Sequence, residues 1–297
     1  MSTRKLTIKK QRILVDSCDR DYTKYPSSST YTIVLPTTYK NVLRARIISL
    51  EVPASYYIFS AYLGNTTIGV TLYTNLGKKT ANLPEQYITV PDGNYTVSSL
   101  VSTLQTLLNA NTLFQTQGVT FTVSMNNVTL TLSISVTLGR LIEIDTTSLI
   151  TDPVNWGLAY NLGFQKGVSY VGNTVFADNI INVNPFNYIV MEIENLNSMD
   201  ECQSPMLVGN RYTNGSVKSF FKKVPMSVNS FDIVFHESKS TSLDETTFMP
   251  YIPKLDRLTI KWRFHNGKLV NFNNVEHSFC IELECINVNI GQQLYAN

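Results

Sequence analysis

The amino-acid sequence predicts a mainly β protein, a β-sandwich interrupted by an inserted α+β domain. Three observations predict it. Apolar and polar residues alternate with period two between clusters of turn formers along most of the chain, the mark of half-buried antiparallel strands. One stretch breaks that alternation with helical spacing. The strands before that stretch are too few to bury their apolar faces alone, so they need partners from the C-terminal third.

The first strand-like run, residues 31–35 (YTIVL), is closed by Pro36. Residues 42–52 (VLRARIISLEV) place Val42, Arg44, Arg46, Ile48, Leu50 and Val52 on one side, and Pro53 ends the run. After residues 87–90 and a Pro-Asp-Gly-Asn turn, residues 95–109 carry Val97, Leu100, Val101, Leu104, Leu107 and Leu108 at helical spacing, which predicts a helix over about 96–109. Strands at 119–123 and 128–132, joined around Asn126-Asn127, then 141–144 and a glycine-punctuated segment from Trp156 to Gly167, complete a compact α+β unit. Further strands are expected at 188–193 and 231–235. Residues 258–264 and 269–272 form a hairpin whose Asn266-Gly267 suits a type I′ turn. The last strand, 278–288, alternates Phe279, Ile281, Leu283 and Cys285 with Cys280, Glu282, Glu284 and Ile286; its glutamate pair predicts a wet face.

These elements give a discontinuous sandwich of residues 1–54 and 179–297, with residues 1–12 as a basic arm, around an inserted domain of residues 55–178. Pro53 and the Gly- and Asn-rich stretch 172–184 are the crossing points. The alternative, two consecutive β domains split near residue 178, leaves the N-terminal strands without partners. No internal repeat supports a propeller or solenoid.

Of the 297 residues 43% are hydrophobic, a globular value, but only 15% are charged, against roughly 25% for an average soluble domain. Asn, Thr, Ser and Tyr must therefore carry much of the surface. Such a surface resembles an interface, although strands and turns favour the same residues. A net charge of +2 is too small to define a nucleic-acid or membrane binder as a whole. Its distribution is uneven: Arg4, Lys5, Lys9, Lys10 and Arg12 precede the first acid, Asp16. That arm reads as a solvated tail, or as a group reaching anionic lipid or nucleic acid. The four cysteines, Cys18, Cys202, Cys280 and Cys285, form no CxxC pair, and reduced thiols are expected. No apolar run is long enough to span a membrane and no signal core opens the chain, so cytoplasmic assembly is expected. The Asn-x-Thr/Ser triplets at Asn65, Asn94, Asn127 and Asn214 then read as chance.

Groups for catalysis are thin. The three histidines are His236, His265 and His277; the first two read as strand-end and turn residues. Asp16, Asp19 and Asp21 lack the spacing of a calcium loop and have Arg20 and Lys24 beside them as ion-pair partners. Gly64/Gly69 and Gly163/Gly167 lack the context of a nucleotide site, and no nucleophile elbow or zinc-protease motif occurs. Phe220-Phe221-Lys222-Lys223 has the composition of a nucleic-acid grip but is explained more simply as a strand with a solvated end. No catalytic residue, metal or cofactor is assigned.

Residues 12–26 (RILVDSCDRDYTKYP), 31–36 (YTIVLP), 50–57 (LEVPASYY), 90–96 (VPDGNYT), 255–260 (LDRLTI), Asn266-Gly267 and 276–279 (EHSF) together resemble the minor capsid and vertex (penton) proteins of large double-stranded DNA viruses and virophages, while residues 172–226 match weakly. These are strand and turn sequences rather than catalytic signatures. The resemblance implies a jelly roll with an inserted domain, a non-enzymatic component of an icosahedral capsid. Its implied partners are the major capsid protein and other capsid subunits, a homopentamer if it forms the vertex, and inner membrane or genome for the basic arm. Arg4, Lys5, Lys9, Lys10, Arg12, Arg20, Tyr56, Tyr57 and Phe59 are the expected interface residues. Arg20, with Asp16, Asp19 and Asp21, is expected to serve the fold or an interface at the start of the sandwich. The runner-up is a carbohydrate- or receptor-binding β-sandwich on a virion surface, with Trp156, Trp262 and tyrosines as stacking faces; a β-rich hydrolase comes third.

Overall fold

A computed structural model describes residues 7–74, 82–147, 157–202, 207–208, 211–212, 217–226, 228–237 and 245–287. The chain is mainly β. It divides into two compact units, one of Met1–Tyr56, Asn187–Gln203 and Val217–Asn297, the other of Tyr57–Phe186 and Ser204–Ser216.

The first unit opens with strand β1 (Thr7–Asp16), a short 3-10 turn and the 24-residue strand β2 (Thr30–Pro53). Pro36 does not close a strand, contrary to the sequence expectation. It lies between Val34, paired with Arg257, and Tyr39, paired with Leu255, where the ladder is interrupted and no backbone donor is needed.

The second unit holds β3 (Thr67–Tyr73), β4 (Gln86–Thr89), helices α1 (Val97–Ala110) and α2 (Thr112–Gln115), β5 (Phe121–Met125), β6 (Thr131–Val136), β7 (Leu141–Asp145), α3 (Leu158–Asn161), β8 (Ser169–Gly172) and β9 (Thr174–Ile180). They form sheets ordered β4-β3-β7-β8 and β5-β6-β9. Thr96 and Ser99 close a reciprocal capping box at the start of α1, whose buried stripe is Leu100, Leu104 and Leu108. The helix also protects an edge. Asn109 exchanges hydrogen bonds with both backbone groups of Phe121 (2.8 and 2.9 Å), and Gln105 accepts from the Val123 amide at 2.9 Å, so β5 offers these groups to no other strand. The expected strand at 128–132 starts later, at Thr131. Asn126 Oδ1 accepts from the amides of Val128 and Thr129 and holds residues 126–130 as a loop.

The chain re-enters the first unit with β10 (Tyr188–Ile193) and β11 (Met199–Cys202). The two-residue strands β12 (Leu207–Val208) and β13 (Arg211–Tyr212) precede β14 (Val217–Phe220), β15 (Lys222–Pro225), β16 (Ile233–Glu237), β17 (Glu245–Arg263) and β18 (Ser278–Asn287). The main sheet runs β1-β18-β2-β17-β10-β15, with β16 also on β2. Two irregularities decide which residues of β2 face inward. Val42 pairs with Cys285 but Arg44 with Glu284, leaving Leu43 extra; Ile47 pairs with Ile281 but Ser49 with Cys280, leaving Ile48 extra. Each bulge resets the alternation. The buried set is therefore Val42, Ala45, Ile47, Leu50 and Val52, while Arg44 and Arg46 turn to the opposite face. The single-sided set expected from strict alternation is corrected on this point.

The Asn266-Gly267 turn also differs from expectation. Among its residues only Gly267 has positive φ (+84°), the Gly267 amide donates to Phe264 O at 3.0 Å, and the Phe264 amide to Lys268 O at 2.9 Å. This is a type I turn followed by a glycine bulge. The return arm makes one bridge, Arg263 with Leu269, before its residues turn into the core.

That core contains Trp262, Phe272, Tyr31 and His277, with the His277 ring 5.1 to 5.6 Å from the other three. His277 donates from Nε2 to Ser28 O at 3.0 Å. Burial pushes its pKa down to about 4, against opposing pulls from the Ser28 carbonyl and the Glu276 and Asp16 carboxylates. The unfolded chain, at the ordinary 6.5, binds this proton first. Stability from this group is thus complete above that pH and falls as the pH drops toward 4. Chemical unfolding at pH 7 and pH 5 should show a loss of about 2 kcal/mol from this group. His277→Gln should remove that part of the slope, and an unchanged slope would count against the assignment.

Candidate assembly surface

Glu282 and Glu284 are not on a wet face. They lie on the side of β18 opposite Phe279, Ile281 and Leu283, yet Glu282 is only 2% exposed because cations from both neighbouring strands cover it. Arg46 Nη2 approaches Glu282 at 2.6 Å and Arg12 Nε at 3.0 Å. Glu284 meets Lys10 at 2.8 Å and Arg44 at 3.3 Å, and Arg44 reaches on to Glu245 of β17 at 3.1 Å. The result is an ion-pair ladder across β1, β18, β2 and β17. Burial raises the Glu282 pKa, but hydrogen bonds from Arg12 and Arg46 and the charges of Arg46 and Lys10 outweigh it and hold the carboxyl below its usual value.

Lys9, Lys10 and Arg12 therefore stand in a paired strand, not in a free arm, because Thr7–Asp16 is in register with Ser278–Asn287 over its whole length. Lys9 is exposed opposite Cys285. Arg4 and Lys5 lie outside the described residues.

Arg20 is a fold residue. Its side chain is buried, donates to Ser17 O at 2.7 Å and Tyr25 O at 2.9 Å, and pairs with Glu276. Ser17 also binds Glu276 and accepts from the His277 amide at 2.9 Å, so the segment after β1 is clamped onto the start of β18. Asp16 and Asp21 cap local turns, accepting from the amides of Cys18 and Thr23. Among the described residues no group of three or more His, Cys, Asp or Glu is placed to hold a metal.

The aromatic interface residues are corrected in part. Tyr56 is buried edge-on against Phe264 at 5.1 Å, and Phe59 is buried against Tyr95 at 5.4 Å; only Tyr57 is exposed. In the basic-aromatic run at 220–223, Phe220, Phe221 and Lys222 are buried and exposed Lys223 lies 4.2 Å over the Tyr188 ring. Trp262 is fully buried, so it presents no stacking face to a sugar; Trp156 lies outside the described residues.

A second ionic cluster was not visible in sequence. Buried Arg263 pairs with Glu192 and, at 2.6 Å, with Glu201, whose other oxygen accepts from His265 Nδ1 at 2.6 Å; Tyr188 Oη lies 3.0 Å from the same nitrogen. The partners are 62 to 77 residues apart, so no local pattern announces them. In both clusters the carboxylates are engaged by cations of the same chain, an arrangement that fixes strands to one another.

Fold and charge layout together define a β scaffold whose ion pairs close its own sheet. Over residues 6–251 the chain matches the family of unknown function DUF5901, and it belongs to that family. It is 28% identical over 103 residues to the penton capsid protein P1 of Paramecium bursaria Chlorella virus 1, a stretch covering 34% of this chain and 55% of that protein, so the match spans about half the relative's length. The crystal structure of the mavirus penton protein superposes with a TM-score of 0.51 at 10% identity, covering 95% of this chain and all of the other, and shares its fold. A chain of the Sputnik virophage cryo-EM structure gives 0.42 at 12% identity, covering 94% and 98%.

The ladder separates buried from exposed charge. Glu282→Gln should cost about 3 kcal/mol in chemical unfolding, because it strands Arg46 beneath the face. Arg12→Ala, at an exposed position, should cost under about 1 kcal/mol. Equal losses would contradict the burial difference.

Proposed function

We propose that the chain is a structural, non-enzymatic subunit of an icosahedral viral capsid and acts at the vertex, with an interstitial minor capsid position as the neighbouring reading. The match to a named penton capsid protein is the observation that carries this, and the fold shared with the mavirus penton protein supports it. In this reading residues 1–54 and 179–297 form the jelly roll and residues 55–178 the inserted α+β domain. The division of contacts at Tyr56/Tyr57 supports the first boundary, while residues 179–186 and Ser204–Ser216 group with the second unit rather than with the jelly roll. The partners are the major capsid protein and further copies of this chain, closing as a homopentamer through many modest contacts among Asn-, Thr- and Tyr-rich surfaces. Arg4 and Lys5 are the basic residues we assign to inner membrane or genome.

Purified particles carrying an epitope-tagged chain should show label at the five-fold vertices by cryo-EM. The isolated chain should have a molar mass five times its 33.4 kDa. Label between capsomers away from the vertices would favour the interstitial position, and particles without the chain would overturn the capsid reading.

A further inference from the structure

Across the β1-β18-β2-β16 part of the main sheet, two unpartnered edges lie abreast among the described residues. Among the described residues β1 pairs only with β18 and β16 only with β2. Matching rows run across the four strands, Leu14-Cys280-Ser49-Glu237 and Asp16-Ser278-Glu51-Phe235. Both edges expose large apolar side chains on the face away from the core: Leu14 is 72% exposed on β1, and Phe235 is 73% exposed on β16 beside exposed Ile233. A long edge strand with apolar side chains is what a monomer avoids, since it recruits further strands.

Just before β16, Phe231 holds φ at +72°, a conformation costly for a bulky side chain, and its ring is 67% exposed. Hydrogen bonds of 2.8 Å from its amide to Ala54 O and from the Ala54 amide to Asp232 O lock it there. The strained residue presents its ring to the surface at the mouth of the free edge, as at binding sites.

The two edges differ in charge. β1 bears Lys9, Lys10 and Arg12, whereas β16 and the residue before it bear Asp232 and Glu237. β1, β18, β2 and β16 alternate in direction, so β16 runs antiparallel to β1. A second copy set beside the first in the same sense therefore brings its β16 antiparallel to the first copy's β1.

We propose that β16 of one copy adds to β1 of the next, building an intermolecular sheet with Glu237 across from Lys10, Phe235 under the Arg12 guanidinium and Ile233 against Leu14. All three contacts follow from one antiparallel register and lie on the outward face. Arg12, 68% exposed, is free to lie over a neighbouring ring while its Nε stays on Glu282. Because the two edges are different surfaces, the contact is head-to-tail and propagates around a ring until the rotation closes. The proposal rests on the vertex reading for the number of copies, not for the contact itself.

Phe235→Lys disables one edge by setting a like charge under Arg12, and Leu14→Asp the other by setting a carboxylate against the acidic edge, both at exposed positions. By light scattering after size exclusion, the native chain should give a single multimer and each variant alone a 33.4 kDa monomer with unchanged melting temperature. Equal amounts of the two variants should form a dimer and nothing larger, since the mixture retains one working edge of each kind. A native multimer that survives both substitutions, or a mixture that stays monomeric, overturns the edge contact while leaving the vertex reading to the particle-labelling test. A native chain that is monomeric, with a Phe235→Lys variant that drops out of particles, assigns the stripe to another capsid chain and likewise overturns self-pairing.

Discussion

β2 is hydrogen-bonded to β17 on one side and β18 on the other through much of its length, and to β16 at its end. The first unit depends on that one strand, because β1, β10 and β15 reach the sheet only through its neighbours. A strand so long cannot keep perfect alternation against partners of different length, and its bulges at Leu43 and Ile48 take up the mismatch. Between those bulges Arg44 and Arg46 are brought opposite Glu284 and Glu282. The irregularity of the ladder thus creates the electrostatic layer on its outer face.

Much of this is legible in sequence, and the failures have a common cause. The stripe Leu100, Leu104 and Leu108 reports the buried face of α1 directly, because helical spacing is local and needs no partner. The alternation around Val42 locates β2 but misassigns its faces, since a bulge is a property of two strands in register. Asn126 and Gly267 mark turns correctly, yet the turn types follow from hydrogen bonds that composition leaves open. The glutamates of β18 look solvated because their covering cations lie about 240 or 270 positions away. Tyr56 and Phe59 resemble interface aromatics only until Phe264 and Tyr95 are seen to bury them.

The low charge content takes on meaning in this light. Lys10, Arg12, Arg20, Arg44, Arg46 and Arg263 all engage carboxylates of their own chain. What remains for neighbours is a surface of hydroxyls, amides and scattered aromatics with a few exposed charges such as Lys9 and Glu237, suited to contacts that are individually weak and reversible.

The pairing of β1 with β18 also governs how the molecule is made. Arg12 and Glu282 are separated by 270 residues, so β1 leaves the ribosome long before its partner is translated. At roughly 5–20 residues per second that interval is on the order of tens of seconds. During it Ile13 and Val15, buried in the finished fold, have no sheet to enter, and the nascent chain must be kept from other open strand edges until β18 has been translated.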